Sequence, residues 1–281
     1  MLHEWKFQGK KELPKSSAFA VRKNMPSILD KIVAHKRSEL EAVTTPLDEL
    51  KAAIADAPEV RDFAAALAGD GVSLIAEVKK ASPSKGVIRV DFNPVEIARA
   101  YSVGGASCIS VLTDENFFQG KLDYLTAIRN EVDQPLLRKD FVLSEYQVFE
   151  ARVAGADAVL LIAECLSPSE LKELHDLICE LGMTPLVEFY EYSNLEAVLA
   201  CDPKLVGVNN RDLNTFEIDL NHSAKIREQI PADILFVSES GIFTNEDVVQ
   251  LESWNVDAIL VGESLMRQQD VATAVRKLLG Q

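Results

Sequence analysis

Two side chains of opposite charge stand two residues apart in the segment 74–86, which reads LIAEVKKASPSKG. The apolar residues of its first half, bounded by Gly71 before them and by a Ser- and Gly-rich loop after them, predict a short buried strand. Glu77 and Lys79 then point to the same face of that strand. Such charges cost free energy at the end of a buried strand unless a ligand, or each other, satisfies them. The segment therefore indicates either a chemical site or an ion pair at a solvated strand end.

Polar and ionisable residues also follow the other short apolar runs. They are Lys139, Asp140, Glu164, Glu188, Asn209, Arg211, Glu239, Ser240, Gly241, Gly262, Glu263 and Ser264. Lysine and arginine hold anions or donate protons, and glutamate accepts protons or keeps a lysine charged. A salt bridge or a loop cap explains any single one equally well, but a mere scaffold has no need for so many. No histidine is among them, so the pattern favours acid–base chemistry by Lys and Glu over metal catalysis.

Two of these groups predict a phosphate site, and we call them together the phosphate grip: Ser240-Gly241 and Gly262-Glu263-Ser264. Their backbone N–H groups can bind phosphate, and glycine lets the backbone approach closely. One glycine in such a turn is usually only a turn residue, so the signal comes from both loops having one. We expect the side chain of Glu263 to turn outward while its amide binds.

Apolar β-branched runs alternate with amphipathic stretches from residue 74 onward, which is typical of parallel βα units. The predicted strands are 74–78, 108–112, 135–139, 158–162, 184–188, 205–209, 235–239 and 258–261. The predicted helices are 94–103, 124–131, 145–154, 167–181, 194–200, 221–229, 245–254 and 271–279. Eight such units predict a closed (β/α)₈ TIM barrel, whose strands carry catalytic residues at their carboxyl ends. An open doubly wound sheet is the alternative, but no GxGxxG loop follows the first strand.

Three further features concern the domain organisation. A small repeat, GAS at 105–107, GAD at 155–157 and NVD at 255–257, stands between a helix and a strand each time, which supports one regular architecture. Residues 25–70 contain three amphipathic stretches and are predicted to be a helical extension before a barrel domain at 71–281. Residues 1–24 are polar and mixed, and we expect an amino-terminal arm to which we assign no role.

Composition excludes several classes of function. The 281 residues are 47% apolar and 26% charged, as in an ordinary soluble globule. A net charge of -15 without a basic cluster argues against a nucleic-acid partner. No apolar run is long enough to span a membrane, and no signal-peptide pattern opens the chain, so we expect a cytoplasmic protein. The four cysteines form no CxxC pair and are expected to be reduced core thiols: Cys108, Cys165, Cys179 and Cys201.

Eight segments together resemble the indole-3-glycerol-phosphate synthase family. They are SILDKIVAHKRSEL, RDFAAAL, IAEVKKASPSKG, LLRKDF, PLVEFY, VGVNNRDL, VSESGI and ILVGESLMR, in the family's order and spacing over about residues 26 to 280. The resemblance implies a (β/α)₈ barrel with an amino-terminal helical extension. It also implies ring closure of 1-(2-carboxyphenylamino)-1-deoxyribulose 5-phosphate to indole-3-glycerol phosphate, with loss of carbon dioxide and water and without metal or cofactor.

Catalytic roles follow from the resemblance, motif by motif. Lys139 of LLRKDF resembles the general acid that protonates the substrate carbonyl, and Glu188 of PLVEFY resembles the base of the later steps. Glu77 and Lys79 of IAEVKK are similar to a pair that acts in closure or dehydration and contacts the substrate carboxylate. How the work is divided between Lys79 and Lys139 is left open.

Binding roles are implied in the same way. Ser82 of ASPSKG resembles a loop residue that helps hold the carboxylate. Asn209 and Arg211 of VNNRDL resemble groups that bind the sugar hydroxyls and the phosphate, and Glu239 and Ser240 of SESGI complete the polar ring.

Alternatives remain beside this resemblance. Another phosphate-binding barrel, such as a sugar-phosphate isomerase or a flavin-mononucleotide oxidoreductase, would use the same grip. A non-catalytic regulatory barrel would lack acid–base residues, yet both Lys139 and Glu188 are present. Ala81 stands where some members of the family place another lysine, which bears on anion binding. The expected partner is a small phosphorylated molecule, and the chain is expected to be a monomer or a homodimer.

Overall fold

Eight parallel strands close into a barrel in the computed structural model, which describes residues 26–212 and 215–281. The strands are β1 (Ser73–Val78), β2 (Cys108–Leu112), β3 (Leu136–Lys139), β4 (Ala158–Ile162), β5 (Thr184–Phe189), β6 (Leu205–Asn209), β7 (Leu235–Glu239) and β8 (Ala258–Val261). They follow one another around the barrel in chain order, and β8 pairs with β1, with Leu260 opposite Ile75. The predicted (β/α)₈ barrel is confirmed, and the open doubly wound sheet is wrong.

Three helices of the described chain precede the first strand, and the others follow the strands and pack around the barrel. In chain order they are α1 (Ile28–Glu41), α2 (Leu47–Ala53), α3 (Phe63–Leu67), α4 (Pro94–Gly104), α5 (Glu115–Phe118), α6 (Leu122–Arg129), α7 (Glu145–Ala154), α8 (Pro168–Glu180), α9 (Leu195–Leu199), α10 (Asn221–Arg227), α11 (Asn245–Ser253), α12 (Glu263–Met266) and α13 (Val271–Leu278). The sequence did not predict α5 and α12, because one helical turn carries too few residues to show a period. Nor did it predict the hairpin that Ala81–Ser82 forms with Gly86–Val87.

Helix ends and strand starts explain the small repeat in the sequence. Gly105, Gly155 and Asn255 begin the three repeats, and their φ angles of 99°, 89° and 58° are left-handed, which ends the preceding helix. Asp157 and Asp257 are the third residues of two repeats. The carboxylate of each accepts a hydrogen bond from a backbone N–H of the preceding strand, at 2.7 and 2.8 Å. The repeat therefore fixes how each unit joins the next.

The apolar core has two layers, because strands of a closed parallel barrel bury both faces. The outer layer lies between strands and helices. The inner layer fills the barrel and includes Ile75, Leu137 and Leu186. Phe63 and Leu67 of α3 are fully buried in this inner cluster, beside residues at the starts of the strands, so α3 closes the amino-terminal end of the barrel.

The cysteines agree only in part with the prediction from the sequence. The four cysteines are free, but Cys179 is exposed and is not a core thiol. Among the described residues, no helix has the length and apolar character that crossing a bilayer would need. The predicted arm at 1–24 lies outside the described residues, and the division into arm, extension and barrel domain stays a prediction.

Candidate active site

One cavity opens at the carboxyl ends of the strands, and its lining includes a group of residues that were predicted from the sequence to form the site. These residues are Glu77, Lys79, Ser82, Lys139, Glu188, Asn209, Arg211, Glu239, Ser240, Gly241, Gly262, Glu263 and Ser264. They converge because parallel strands of a barrel end at the same rim. Glu164 follows β4 but is not among the lining residues. Its carboxylate instead accepts hydrogen bonds from the loop after β5, including one from the backbone N–H of Tyr190 at 2.8 Å.

A lysine between two carboxylates forms the centre of the cavity. Lys139 Nζ lies 2.5 Å from Glu188 Oε2 and 2.8 Å from Glu239 Oε2. Asn209 orients the first carboxylate, because its Nδ2 donates to Glu188 Oε1 at 3.1 Å. Glu188 and Glu239 are buried, so the three groups interact away from bulk solvent.

Burial and mutual interaction set the protonation of this group. Burial alone would lower the pKa of Lys139, but three surrounding carboxylates, Glu188 foremost, outweigh it and raise the pKa. Burial alone would raise the pKa of Glu188, but the charge of Lys139 and the hydrogen bonds to the carboxylate hold this pKa below its ordinary value. Burial, and then repulsion from Glu188, raises the pKa of Glu239 to about 8. The arrangement therefore favours an ammonium group on Lys139, a carboxylate on Glu188 and a proton on Glu239.

A second acid–base pair lies at the end of β1. Lys79 and Glu77 form an ion pair in which the Glu77 side chain is buried. The hydroxyl of Tyr101 donates to the Glu77 carbonyl at 2.9 Å and so fixes the backbone of the strand there. The sequence predicted that Glu77 and Lys79 share one face of the strand. In the structure both side chains line the cavity and are in contact.

Two glycines make room for the carboxylates, and only Gly262 was expected at the site from the sequence. A Cβ atom on Gly262 would collide with the carboxylate of Glu77, and a Cβ atom on Gly207 would collide with that of Glu239. Gly207 lies within β6, where a glycine often marks a close approach of another group. That is the signal by which it could have been found.

The phosphate grip closes the cavity on the side of β7 and β8. Ser240 and Gly241 have left-handed φ angles of 71° and 81°. Ser264 joins the two loops, because its hydroxyl donates to the Ile242 carbonyl at 3.0 Å. These contacts hold both stretches of backbone at the rim.

The side chain of Glu263 was expected to turn outward from the phosphate grip, and the structure shows that it does so only in part. One carboxylate oxygen accepts a hydrogen bond from Arg267 at 2.9 Å, and the other lies 4.0 Å from the Arg211 guanidinium inside the cavity. The carboxylate therefore helps to place Arg211 next to the grip.

Helix α1 contributes a part of the site that the sequence analysis did not predict. Ile28, Leu29 and Ile32 line the cavity from above. One turn further along, the buried Lys36 Nζ lies 3.0 Å from Asp114 Oδ2 and 3.1 Å from Asp140 Oδ1. A lysine four residues after a buried isoleucine, on the apolar face of the helix, was the available signal. Because Asp140 follows Lys139 in the chain, this ion pair anchors α1 beside the centre.

The fold and this site define a class: a TIM-barrel enzyme with a lysine–carboxylate centre at the carboxyl ends of its strands. Comparison with known families then identifies the group within that class. The chain belongs to the indole-3-glycerol phosphate synthase family, whose model matches residues 29–278.

Individual relatives agree with this assignment. The indole-3-glycerol phosphate synthase of Rhodopirellula baltica is 56% identical over 256 residues, which is 90% of this chain and 99% of the relative. That of Polaromonas naphthalenivorans is 45% identical over 263 residues, covering 92% of this chain and 100% of the relative.

Two solved structures are similar in fold. One is KGPDC from Streptococcus mutans, with a TM-score of 0.59 and 14% identity over 75% of this chain and 97% of the other. The other is thiamine phosphate pyrophosphorylase from Pyrococcus furiosus, with a TM-score of 0.54 and 19% identity over 74% of this chain and 94% of the other. At these identities the likeness concerns the barrel alone.

Proposed function

We propose that the protein is a carboxy-lyase of tryptophan biosynthesis. It converts 1-(2-carboxyphenylamino)-1-deoxyribulose 5-phosphate to indole-3-glycerol phosphate, carbon dioxide and water. The observation that carries the proposal is the ammonium group of Lys139, held between Glu188 and Glu239 in a cavity that also contains the phosphate grip. Membership of the family supports the same reaction.

The two ends of the cavity suit the two ends of this substrate. The phosphate lies against the backbone of the phosphate grip, with the Arg211 guanidinium beside it. The aromatic ring lies under α1, where the lining is apolar and includes Ile32, Phe118 and Phe141. Lys79 and Ser82 then meet the ring carboxylate, and the carbonyl carbon between ring and phosphate faces Lys139.

Ring closure needs an acid at the carbonyl. The ring carbon that bears the carboxylate attacks the carbonyl carbon, a carbon–carbon bond forms, and Lys139 gives its proton to the carbonyl oxygen, which becomes a hydroxyl group. A positioned acid of this kind contributes about 10² to 10⁴ in rate. The bond to the carboxylate then breaks, carbon dioxide leaves, and the electron pair restores the aromatic ring, a step that needs little help.

Dehydration completes the indole. The new hydroxyl group leaves as water, and Glu188 removes a proton from the neighbouring carbon that is bonded to nitrogen, so that the second double bond of the five-membered ring forms. Lys79, paired with Glu77, is the second ammonium group available to protonate the departing hydroxyl. Asn209 keeps Glu188 oriented through both stages.

The remaining expectations from the sequence are part of this proposal. The protein works in the cytoplasm on a small phosphorylated substrate, without a nucleic-acid or membrane partner and without a cofactor, as a monomer or a homodimer. Residues 25–70 form a helical extension that belongs to the same catalytic unit as the barrel at 71–281.

The test is to mix the protein with the carboxyphenylamino-deoxyribulose phosphate and to follow indole fluorescence. The unmodified protein should give a rise, and Lys139→Ala should lower its rate by about 10² to 10⁴. Lys172→Ala is a matched control, because Lys172 also forms an ion pair, with Asp176, but on the surface of α8. That variant should keep the original rate. Equal rates for Lys139→Ala and the unmodified protein would remove Lys139 from the mechanism.

A further inference from the structure

Two neighbouring asparagines at the end of β6 serve opposite sides of the strand. Asn209 faces the cavity, whereas Asn210 is 1% exposed and turns towards α10 and β7. Asn210 Nδ2 donates to Ser238 Oγ at 2.9 Å and to the Ser240 carbonyl at 3.1 Å. Its Oδ1 accepts from the backbone N–H of Ser223 at 3.1 Å and from the Ser223 hydroxyl at 2.7 Å. The carboxamide thus uses both of its N–H groups and both lone pairs.

The residue that Asn210 holds has an unusual backbone. Ser240 has a φ angle of 71°, which a residue with a Cβ atom rarely adopts without support from its surroundings. The following Gly241 is also left-handed, with a φ angle of 81°. This turn carries the backbone of the phosphate grip along the cavity wall. The Asn210 carboxamide therefore donates to the carbonyl of a residue whose left-handed backbone is unfavourable without such support.

We propose that Asn210 is a positioning residue for phosphate binding. By holding the Ser240 carbonyl, it keeps Ser240 and Gly241 in the left-handed turn that presents the backbone to a phosphate monoester. The identity of that ligand rests on the proposed function, but the contacts belong to the free protein. Asn210 is buried behind the cavity wall and does not line the cavity, so in this proposal it reaches the ligand through Ser240.

The same hydrogen-bond network provides a matched control. Ser223 is fully buried, and its hydroxyl contacts Asn210 Oδ1 and, at 2.8 Å, Ser238 Oγ. Ser223→Ala removes these bonds but leaves the one from Asn210 to Ser240. Asn210→Ala removes both sides of the network. A merely structural network would respond in the same way to the two substitutions, whereas a positioning role separates them.

The experiment measures phosphate binding and turnover separately. The dissociation constant for glycerol 3-phosphate comes from calorimetry, and KM and kcat come from indole fluorescence. In Asn210→Ala we expect the dissociation constant and KM to rise about tenfold, because the grip is no longer pre-organised, while kcat changes less than about threefold. In Ser223→Ala both constants should stay within about twofold of the unmodified protein, although its melting temperature falls.

A second substitution tests the route through Ser240. Glycine adopts the left-handed conformation as readily as the right-handed one, so Ser240→Gly added to Asn210→Ala should recover at least about threefold in the dissociation constant. If circular dichroism shows that Asn210→Ala does not fold, Asn210→Ser takes its place, since a hydroxyl group is shorter than the carboxamide and cannot make all four bonds.

The outcomes separate this inference from the proposed function. Glycerol 3-phosphate binding to the Asn210 variant within about twofold of the unmodified protein, or an equal loss in Ser223→Ala, would overturn the positioning role alone. An unmodified protein that binds glycerol 3-phosphate but gives no indole would instead overturn the proposed reaction, and the binding measurements would still decide the role of Asn210.

Discussion

Glu239→Gln tests how Lys139, Glu188 and Glu239 share their protons. The substitution replaces a buried carboxyl group by a carboxamide of nearly the same shape. In the folded protein, burial and then repulsion from Glu188 raise the pKa of Glu239 to about 8, despite the opposing attraction of Lys139. In the unfolded chain this pKa returns to its ordinary value of 4.5. Between these two values the folded protein therefore binds a proton that the unfolded chain has released.

The sign and the size of the effect follow from this difference. A group whose folded pKa is raised stabilises the fold fully below its unfolded pKa, and this stabilisation is lost as the pH rises through the folded pKa. For Glu239 the window extends from 4.5 to about 8. Roughly 3 kcal/mol of stabilisation then disappears between about pH 5 and pH 8. Glutamine does not titrate, so Glu239→Gln should gain about 3 kcal/mol relative to the unmodified protein over this interval.

Urea unfolding followed by circular dichroism measures the prediction. The free energies of unfolding of Glu239→Gln and of the unmodified protein are compared at pH values near the lower end, the middle and the upper end of this window. Glu170→Gln is the control, because hydrogen bonds from Ser167 lower the pKa of this exposed carboxylate. Its difference from the unmodified protein should stay constant across the window. A constant difference for Glu239→Gln as well would refute the assignment of a proton to Glu239.

Two further substitutions test residues that only the structure revealed. Lys36→Met should cost about 3–5 kcal/mol of unfolding free energy, because the buried Asp114 loses the cation beside it, whereas Asp140 keeps Arg138. Urea unfolding measures the cost, and Lys31→Met, at an exposed position of the same helix, should change little. Gly207→Ala should lower kcat about tenfold or more, because the new Cβ atom displaces the Glu239 carboxyl group, whereas Gly69→Ala, with space around it, should retain full turnover. Unchanged turnover in Gly207→Ala would mean that the position of this carboxyl group does not matter.

The strands were predictable from sequence because each is a short apolar run bounded by turn residues. Their observed bounds differ from the predicted ones by at most one residue, as at Ser73 in β1 and Phe189 in β5. Once the strands are known, the barrel brings their carboxyl ends to one rim, so residues as distant as Glu77 and Gly262 could be placed in one cavity. This inference needs only local patterns and one global rule.

Contacts between side chains were not predictable in the same way. Lys36 and Asp140 are far apart in sequence, and nothing local indicates that they pair. Gly207 is needed only because the Glu239 carboxyl group lies against it, which depends on the packing of two neighbouring strands. The protonation of Glu239 depends in turn on the charges that surround it. These properties arise from the assembled rim rather than from any one segment.

The placement of α1 and α3 bears on how the protein can be synthesised. Phe63 of α3 shares a buried cluster with Ala258 of the last strand, and Lys36 of α1 pairs with Asp140, midway along the chain. These two helices thus pack against segments that are translated after them, up to the last strand in the case of α3. Until the last strand has been translated, the buried cluster that contains Phe63 is incomplete, which leaves apolar side chains of the nascent polypeptide within reach of chaperones.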